Sequence, residues 1–436
     1  MIDRLSGGAC PRVSRRALLA GGFAAVGAAS LGGVAACTAG TPEERAASTR
    51  AQPARPTIEQ WYHAYSEAGV HEAVESYAAR YPKATVEVRW AGGDYDATTL
   101  MSLRTAQGPD VFEYANGPTI DMVRDGLVVD LTDTVGAARE EFQQSIIGRM
   151  THEGRIWAVP QVVDTQLLVY RRSLLEDAGV EPPQTMDALI DAARALTRGD
   201  VKGIYLGNRG GATHVGGPLL WSAGLDFLTD DHKVGFDDPR AAEALAKLGE
   251  LHQSGAVLTR APKDWFEPDA LIDGLAAMQF TGLWTFPELS ARLGDDFGVL
   301  PWPALDDMGN PAVPLGAYGA CVSARAKDVD AATEFVRWLW VEQADLQLDF
   351  ASSYGLHIPS RISLIDRVDD LKTGPGAEAA AIALDYGVPQ SKLLWTASCV
   401  TAFESLMEAV IGGADPEQGI REARTVAEAE LKRVLA

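Results

Sequence analysis

The sequence predicts an α/β fold with more than one hydrophobic core. From Thr57 to the C-terminus, short apolar strands alternate with amphipathic helices, which is typical of α/β domains. The chain has 436 residues, of which 47% are hydrophobic. That length and content are sufficient for two substantial cores, so we expect the globular part to contain two units built from strands and helices.

The alternation shows no internal repeat. Glycine and proline mark some of its boundaries: Gly108 and Pro109 introduce the third strand, and Gly126 ends the next helix as a C-terminal cap would. The predicted strands and extended segments are 57–62, 85–90, 110–114, 156–160, 165–170, 203–206, 277–281, 297–300 and 313–323. The predicted helices are 67–81, 118–124, 172–178, 185–197, 217–223, 239–254, 268–276, 329–348, 393–411 and 416–435.

Residues 1–36 are predicted to be an export signal rather than part of the fold. Ser-Arg-Arg at 14–16 follows the twin-arginine pattern, and an apolar stretch rich in Ala and Gly runs over 17–36. Cys37 follows Val-Ala-Ala, which resembles the lipobox of bacterial lipoproteins, so Cys37 is the predicted lipidation site. A retained membrane helix is the alternative for this stretch. Its many glycines, and the cysteine where cleavage should occur, favour the lipoprotein.

The segment 37–56 is predicted to be a flexible tether. It is poor in large apolar residues and contains three prolines. A flexible segment of about nineteen residues has a root-mean-square span of roughly 25 Å. We therefore expect the globular part to be held at the extracytoplasmic face of the cell membrane through lipidated Cys37.

The composition argues against several classes of function. Acidic residues outnumber basic ones by 60 to 38, a formal net charge of −22, whereas nucleic-acid binding needs a basic face. A phosphorylated ligand is disfavoured for the same reason, although a pocket can differ in sign from the surface. The four cysteines form no CxxC pattern and the seven histidines are scattered, so we predict no metal and no cofactor.

Six sets of residues follow one another in a familiar order and spacing. They are Gly-Pro-Asp-Val-Phe-Glu-Tyr at 108–114 with Asp-Gly-Leu at 125–127, Ala-Val-Pro at 158–160 with Leu-Val-Tyr at 168–170, Gly-Leu-Trp at 282–284, Leu-Gly-Ala-Tyr-Gly at 315–319, Gly-Leu-His-Ile-Pro at 355–359 and Val-Pro-Gln at 388–390. Together they resemble the bacterial extracellular solute-binding protein family of ABC importers, of the carbohydrate-binding type that includes maltose-binding protein. No single motif is specific, but the resemblance covers nearly all of the chain from Thr57 onwards.

The resemblance implies a periplasmic-binding-protein-like fold, in which two α/β lobes are joined by a hinge and the ligand cleft lies between them. It implies that lobe I contains 57–163 and 313–356, and that lobe II contains 164–312 and 357–436. The chain would then cross between the lobes near 161–165, 306–313 and 357–363. The implied partners are a small carbohydrate and the permease subunits of an ABC transporter, and we expect the protein to be a monomer.

The chain departs from maltose-binding protein at positions where that protein uses acidic groups on its sugar. Tyr65 and Gly117 stand at two of them, and Asp164 is a shorter acid at a third. The hydroxyl pattern of the ligand should therefore differ from that of maltose.

A sugar presents apolar C–H faces and a rim of hydroxyls, so its site needs aromatic rings interleaved with polar groups. Trp284 is predicted to cover one face, because it lies in a turn after a strand; the alternative is a core tryptophan. Trp395 is the second candidate, at the start of a helix whose other apolar residues resemble core. Asp164 is the best carboxylate, since no lysine or arginine is nearer in sequence than Arg171; its alternative is a hinge-capping aspartate.

The remaining candidates stand at the ends of predicted strands or in a glycine-rich loop. Each has a structural alternative, such as an Asx turn for Asn116 or a satisfied structural histidine for His63. The loop around His214 lacks the Gly-Lys-Ser/Thr of a phosphate-binding loop. These candidates are Tyr114, Asn116, Tyr65, His63, His214 and Tyr318, with His357 as a weaker one.

Two other functional classes stay open at this point. A secreted glycosidase needs two carboxylates at a fixed separation; Asp164 and Glu288 are conceivable, but no catalytic motif links them, and no catalytic residue is predicted. The other class is a binding protein for a glycerol-phosphate ester, a polyamine or a metal chelate. We also predict that Cys321 and Cys399 are free thiols, since the resemblance places them in different lobes and a bond would restrict hinge closure.

Overall fold

The structure is a computed structural model that describes residues 55–436 and contains two large β-sheets. The strands are β1 Thr57–His63, β2 Thr85–Ala91, β3 Val111–Ala115, β4 Thr151–His152, β5 Arg155–Ile156, β6 Val159–Pro160, β7 Val162–Tyr170, β8 Lys202–Tyr205, β9 Val257–Leu258, β10 Ala276–Gly282, β11 Gly298–Leu300, β12 Val313–Gly316, β13 Tyr318–Val322, β14 Ile358–Pro359 and β15 Gly387–Pro389. The signal segment 1–36, Cys37 and most of the tether lie outside the described residues.

Helices connect and cover the strands. They are α1 Val70–Arg80, α2 Tyr95–Ser102, α3 Ile120–Arg124, α4 Thr132–Val135, α5 Gln144–Arg149, α6 Arg172–Ala178, α7 Met186–Leu196, α8 Gly216–Ser222, α9 Pro239–Gln253, α10 Asp269–Ile272, α11 Phe286–Leu293, α12 Val329–Arg337, α13 Ala344–Ser352, α14 Ile362–Ile365, α15 Gly374–Tyr386, α16 Ala397–Ile411 and α17 Pro416–Leu435. None of the helices in this part of the chain is long and apolar enough to span a membrane.

The first sheet has the order β2-β1-β3-β13-β6. β1 pairs in parallel with β2 and β3, and α1 provides the crossover that a parallel pair requires. β13 runs antiparallel to β3 and β6. Ile58, Val74 and Phe335 are among the residues of one core against this sheet. Burying a side chain of this size contributes about 1.5–3 kcal/mol, so these contacts hold the helices on the strands.

The second sheet has the order β15-β12-β7-β10-β8-β9, with β11 and β14 also paired to β7. β7 is its long central strand, and all of its residues except Asp164 are buried. A second core packs helices against this sheet and includes Leu168, Ile190, Leu248 and Phe403. Each sheet therefore has a core of its own, and a third core includes Phe112 of β3 and Leu167 of β7 and so draws residues from both sheets.

In two places the chain passes between the sheets at a single residue. Gln161 separates β6 of the first sheet from β7 of the second, and Ala317 separates β12 from β13. The Gln161 N–H donates to the Tyr318 carbonyl at 2.9 Å, so the two passages are tied together. The second passage lies past the expected 306–313, because the segment Val313–Gly316 pairs with β7 and β15. The division into lobes stays a prediction.

Some predicted helices are shorter or interrupted. The predicted helix 329–348 ends at Arg337, continues as a π-helical turn over Trp338–Glu342 and resumes at Ala344. The predicted helix 393–411 begins only at Ala397, because Thr396 caps it by accepting the Cys399 N–H. The predicted helix 268–276 is the short α10, since β10 begins at Ala276.

Cys321 and Cys399 are both free and buried, which confirms that prediction. Cys321 lies on β13 and Cys399 on α16, in different cores. Burial raises the pKa of both thiols, so both are held as neutral side chains.

Candidate functional site

A cavity of about 520 Å³ lies between the two sheets, where β1 and β3 end and the polar part of β7 begins. Residues from both sides line it. Seven of the predicted site residues are among them: His63, Tyr65, Asn116, Asp164, Trp284, Tyr318 and the weaker candidate His357. The structure therefore brings together side chains that are up to about 294 residues apart in the chain, and their role in binding stays a prediction.

On the first-sheet side, the buried Glu113 carboxylate fixes the rings of His63 and Tyr65, which line the cavity. Its Oε1 accepts hydrogen bonds from the His63 backbone N–H at 2.9 Å and from His63 Nδ1 at 2.5 Å, and its Oε2 accepts the Tyr65 hydroxyl at 2.8 Å. The His63 ring stacks on Tyr318, with centroids 4.2 Å apart. Because the Glu113 carboxylate can only accept, His63 Nδ1 carries a proton.

On the second-sheet side, Asp164 and Gln166 are two positions apart on β7, so their side chains lie on the same face of the strand. Both line the cavity. Asp164 Oδ1 accepts a hydrogen bond from His357 Nδ1 at 2.5 Å. Gln166 is 6% exposed, and within residues 55–436 its Oε1 has no hydrogen-bond partner. A buried amide oxygen without a partner is costly, so Gln166 is poised to accept from a ligand.

Two tryptophans form a corner of the cavity. The rings of Trp265 and Trp284 meet edge to face, with centroids 5.9 Å apart at 68°. Trp284 Nε1 donates to the Phe266 carbonyl at 2.9 Å, which fixes the ring. The ring folds back over Gly282, where a Cβ would lie 2.0 Å from it. Glycine at 282 is therefore required for this ring position, which gives the Gly-Leu-Trp turn a physical reason.

His214 and Trp395 lie in a smaller neighbouring cavity of about 190 Å³. Asn116 and Gln390 line both cavities, and Asn116 Nδ2 donates to Gln390 Oε1 at 3.4 Å. His214 stacks on Trp265 at 4.4 Å, so the ring pair separates the two spaces. Burial lowers the pKa of His214 to about 3, which keeps its imidazole neutral.

Tyr114 is the one predicted residue that lines neither cavity. Its ring is buried against Phe112, and burial raises its pKa. The side chain points to the opposite face of β3 from Glu113, because neighbours along a strand alternate.

Asn116 adopts a left-handed conformation with φ of 59°, and its Oδ1 accepts the Ala317 N–H at 3.3 Å. It thus lines the cavity and also fixes the second passage between the sheets.

Sequence reasoning missed Trp265, Glu67, Gln166 and Gln390 as lining residues. Trp265 and Phe266 stand between Pro262 and Pro268, and paired aromatic residues in a proline-bounded loop were an available signal. Gln390 belongs to the Val-Pro-Gln segment already noted. The sequence contains no comparable signal for Glu67, because it reads as the first turn of the helix that begins at Val70.

The cavity is acidic. Glu67, Asp164 and Glu267 line it, and no lysine or arginine does so among residues 55–436. Burial, together with the field of four nearby carboxylates, raises the pKa of the half-buried Tyr318 well above the ordinary value. No group of three or more potential metal ligands exists within those same residues. This charge pattern suits a neutral or cationic ligand better than an anionic one.

A larger cavity of about 660 Å³ lies near Arg124, Trp157 and Lys392. It contains none of the predicted site residues, and Lys392 there is paired with Asp226 at 3.0 Å. We therefore place the candidate binding site in the 520 Å³ cavity, where aromatic rings and unpaired polar atoms converge.

Two α/β halves with a polar and aromatic cavity between them define the two-lobed fold of periplasmic solute-binding proteins. A solute-binding protein from Thermotoga lettingae bound with α-D-tagatose has this fold, with a TM-score of 0.75 at 19% identity; the match covers 86% of this chain and 100% of that one. The GacH receptor of Streptomyces glaucescens, described unliganded and with acarbose, has a TM-score of 0.71 at 24% identity, covering 87% and 98%. The predicted fold class is confirmed.

The profile of the bacterial extracellular solute-binding protein family matches residues 61–344, and the chain belongs to that family. It is 27% identical to the diacetylchitobiose-binding protein DasA of Streptomyces coelicolor over 316 residues, which are 69% of this chain and 70% of that protein. The family resemblance found in the sequence is thereby confirmed.

Proposed function

We propose that this chain is the lipid-anchored substrate-binding subunit of an ABC importer. It captures a mono- or oligosaccharide at the extracytoplasmic face of the membrane and delivers it to the permease. The observation that carries the proposal is the cavity in which the Trp265–Trp284 corner faces carboxylate, amide and imidazole groups. Aromatic rings cover the apolar faces of a sugar, and the polar groups exchange hydrogen bonds with its hydroxyls.

The names of similar proteins support a saccharide ligand. DasA is named for diacetylchitobiose, and the two structural relatives are described with tagatose and acarbose. A cavity of about 520 Å³ is within the usual range for a small-molecule site and has room for one or two sugar rings.

The charge of the cavity argues against a glycerol-phosphate ester. Three carboxylates line it, and in the described part of the chain no lysine or arginine is there to neutralise a phosphate. A polyamine is the second candidate, because Glu67 and Asp164 beside two tryptophans suit an ammonium group. A glycosidase has less support, since Glu288 lies on α11 and does not line the cavity with Asp164.

The lipid anchor rests on the lipobox-like sequence before Cys37. A cysteine that carries several acyl chains holds a protein firmly at the membrane, because each buried methylene contributes about 0.8 kcal/mol. Cys37→Ser should leave uncleaved or released protein. Intact-mass analysis that finds unmodified Cys37 in membrane-bound mature protein would contradict the anchor without affecting the saccharide proposal.

A thermal-shift screen tests the ligand class directly. Neutral mono- and oligosaccharides, spermidine and glycerol 3-phosphate are each added in excess, since binding to the folded state raises the unfolding midpoint. We expect a shift with a neutral saccharide and none with glycerol 3-phosphate. A shift with spermidine alone would favour the polyamine, and new reducing ends after incubation with oligosaccharides would favour an enzyme.

A further inference from the structure

His357, in the segment between α13 and β14, contacts charged groups on both sides of the cavity. Its Nδ1 is 2.5 Å from Asp164 Oδ1, and its Nε2 is 3.7 Å from Glu67 Oε1. Asp164 lies on β7 of the second sheet, whereas Glu67 lies between β1 and α1 of the first. One imidazole therefore joins the two halves of the molecule at the edge of the cavity.

The surroundings of His357 hold the ring in this place. Its side chain is 4% exposed, and its backbone N–H donates to the Ala351 carbonyl at 2.9 Å. The Phe350 ring lies nearly parallel to it, at 6.4 Å and 12°. Gly355 leaves room on the remaining side, because a Cβ there would lie 3.0 Å from His357 Nε2 and 3.1 Å from Glu67 Cγ.

Asp164 is held at one oxygen and still faces the cavity. His357 engages Oδ1, and the carboxylate side chain remains 18% exposed. A ligand hydroxyl then meets a carboxylate whose rotamer is already fixed, so less conformational entropy is lost on binding. Without His357, Asp164 would be free to turn, and two acidic groups would be left without their shared cation.

We propose that His357 is a positioning residue of the proposed saccharide site: as an imidazolium it bridges Asp164 to Glu67 and fixes the Asp164 carboxylate for the ligand. This inference rests on the proposed function. His357 lines the cavity and is proposed to act on the ligand through Asp164, so its removal should weaken binding without changing which hydroxyls Asp164 recognises.

The protonation state decides whether the bridge is complete. The protonated ring donates from both nitrogens, to Asp164 and towards Glu67, whereas the neutral ring donates from only one. The charged groups that face the ring are these two carboxylates, and they raise its pKa above the ordinary value of 6.5 even though burial alone would lower it. The bridge is therefore complete below that raised pKa and loses its Glu67 half as the pH rises through it.

Calorimetric titration with diacetylchitobiose as the probe, from about pH 5.5 to about pH 9, tests the proposal. We expect the affinity of the wild type to fall about tenfold as the pH rises through the pKa of His357. His357→Gln should bind about tenfold more weakly at low pH and should have a flat pH profile. Glu67→Gln should move the midpoint to lower pH, and His71→Gln, on the outer surface of α1, should match the wild type.

A second measurement does not need a ligand. Side-chain NMR of histidine-labelled protein, with the His357 signals assigned by their loss in His357→Gln, should show both ring nitrogens protonated near neutral pH. Gly355→Ala should lower the titration midpoint, because its Cβ pushes the ring and Glu67 apart. Circular dichroism and thermal melts confirm that each variant is folded.

The two measurements separate this inference from the proposed function. If no saccharide binds the wild type at any pH, the proposed function fails, and the NMR titration alone decides the bridge. A neutral His357 ring near pH 7, or the same pH profile in the wild type and His357→Gln, would overturn the positioning role.

Discussion

Trp284 and Trp395 are both predicted to stack on a sugar, and the structure gives them different surroundings. Trp284 is half-buried, with Gly282 beneath its ring and only the edge of Trp265 beside it. Trp395 is 8% exposed and is stacked on Phe227 at 4.8 Å, with Phe403 packed against its edge. The Trp284 ring keeps a face towards the 520 Å³ cavity, and the Trp395 ring has most of its surface in the core.

The difference arises from what surrounds each tryptophan rather than from the residue itself. Because Gly282 has no side chain, the Trp284 ring can lie directly against the backbone there. The other face of the ring is then available for a ligand to stack on. A ring with aromatic neighbours on several sides contributes chiefly to stability. Trp395 still borders the smaller cavity, so its contact with a ligand stays a prediction.

Trp395→Ala gives the largest expected effect. Removing this ring leaves a cavity among Phe227, Phe236 and Phe403, and truncation of a core aromatic residue typically costs about 3–5 kcal/mol of unfolding free energy. Denaturant unfolding measures the change, with Trp90→Ala as a control at a half-buried tryptophan on β2. Unchanged stability together with lost ligand affinity would move Trp395 to the binding site.

Trp284→Ala should show the opposite pattern. The half-buried ring contributes little to the core, so we expect a small stability change. Loss of the stacking face should cost about 2 kcal/mol of binding free energy, or roughly a thirtyfold weaker dissociation constant. Isothermal titration beside thermal melts separates the two quantities, and Trp284→Phe should retain part of the affinity. A lowered melting point with unaltered affinity would reverse the comparison.

The sequence predicts most of the fold because strands and helices there follow simple apolar patterns. The helices Arg172–Ala178 and Pro416–Leu435 are predicted residue for residue. α15, Gly374–Tyr386, is missed because it begins with Gly-Pro-Gly and buries only small residues, so it has no apolar stripe. The break after Arg337 is missed because the apolar pattern continues through the π-helical turn.

The site is predicted less completely because most of its contacts are long-range. Strand ends point to His63, Tyr65 and Tyr318. The pairing of Asp164 with His357 spans 193 residues and depends on how the chain returns along β14. No local pattern carries that information, and the same holds for the approach of Trp265 to Trp284.

Asp164 gives an effect of similar size to that of Trp284 and sharpens the contrast between face stacking and hydroxyl recognition. Asp164→Ala should cost roughly 1.5–3 kcal/mol of binding free energy, the usual range for a charged acceptor. Part of this loss comes from the His357 ring that is left without its partner. Asp164→Asn keeps one acceptor oxygen and should cost less. Equal losses for both variants in calorimetric titration would contradict the acceptor role.

The dependence of stability on acid tests the surroundings of His214. This residue stacks on the Trp265 ring and lines the smaller cavity rather than the 520 Å³ one. Burial lowers the pKa of His214 to about 3, so the folded state prefers the neutral ring. This contribution is fully present above the unfolded value of about 6.5 and is lost as the pH falls from there towards 3. The slope is at most about 1.4 kcal/mol per pH unit. His214→Gln should flatten this part of the stability profile, measured by denaturant unfolding, and an unchanged slope would place the acid sensitivity elsewhere.

The smallest expected effect is on the overall shape of the protein. It tests whether the ligand is bound by the half that contains Trp284 alone or by both halves. Trp284 and Asp164 belong to the half built on the second sheet, whereas His63 and Tyr318 belong to the other. A bound saccharide that contacts both sets favours the form in which they are close, since it binds that form more tightly. Small-angle scattering should therefore give a slightly smaller radius of gyration with saturating saccharide. Trp284→Ala should need a higher saccharide concentration for the same change, because stacking supplies part of the differential affinity. An unchanged profile despite calorimetric binding would mean that one half binds the ligand without the other.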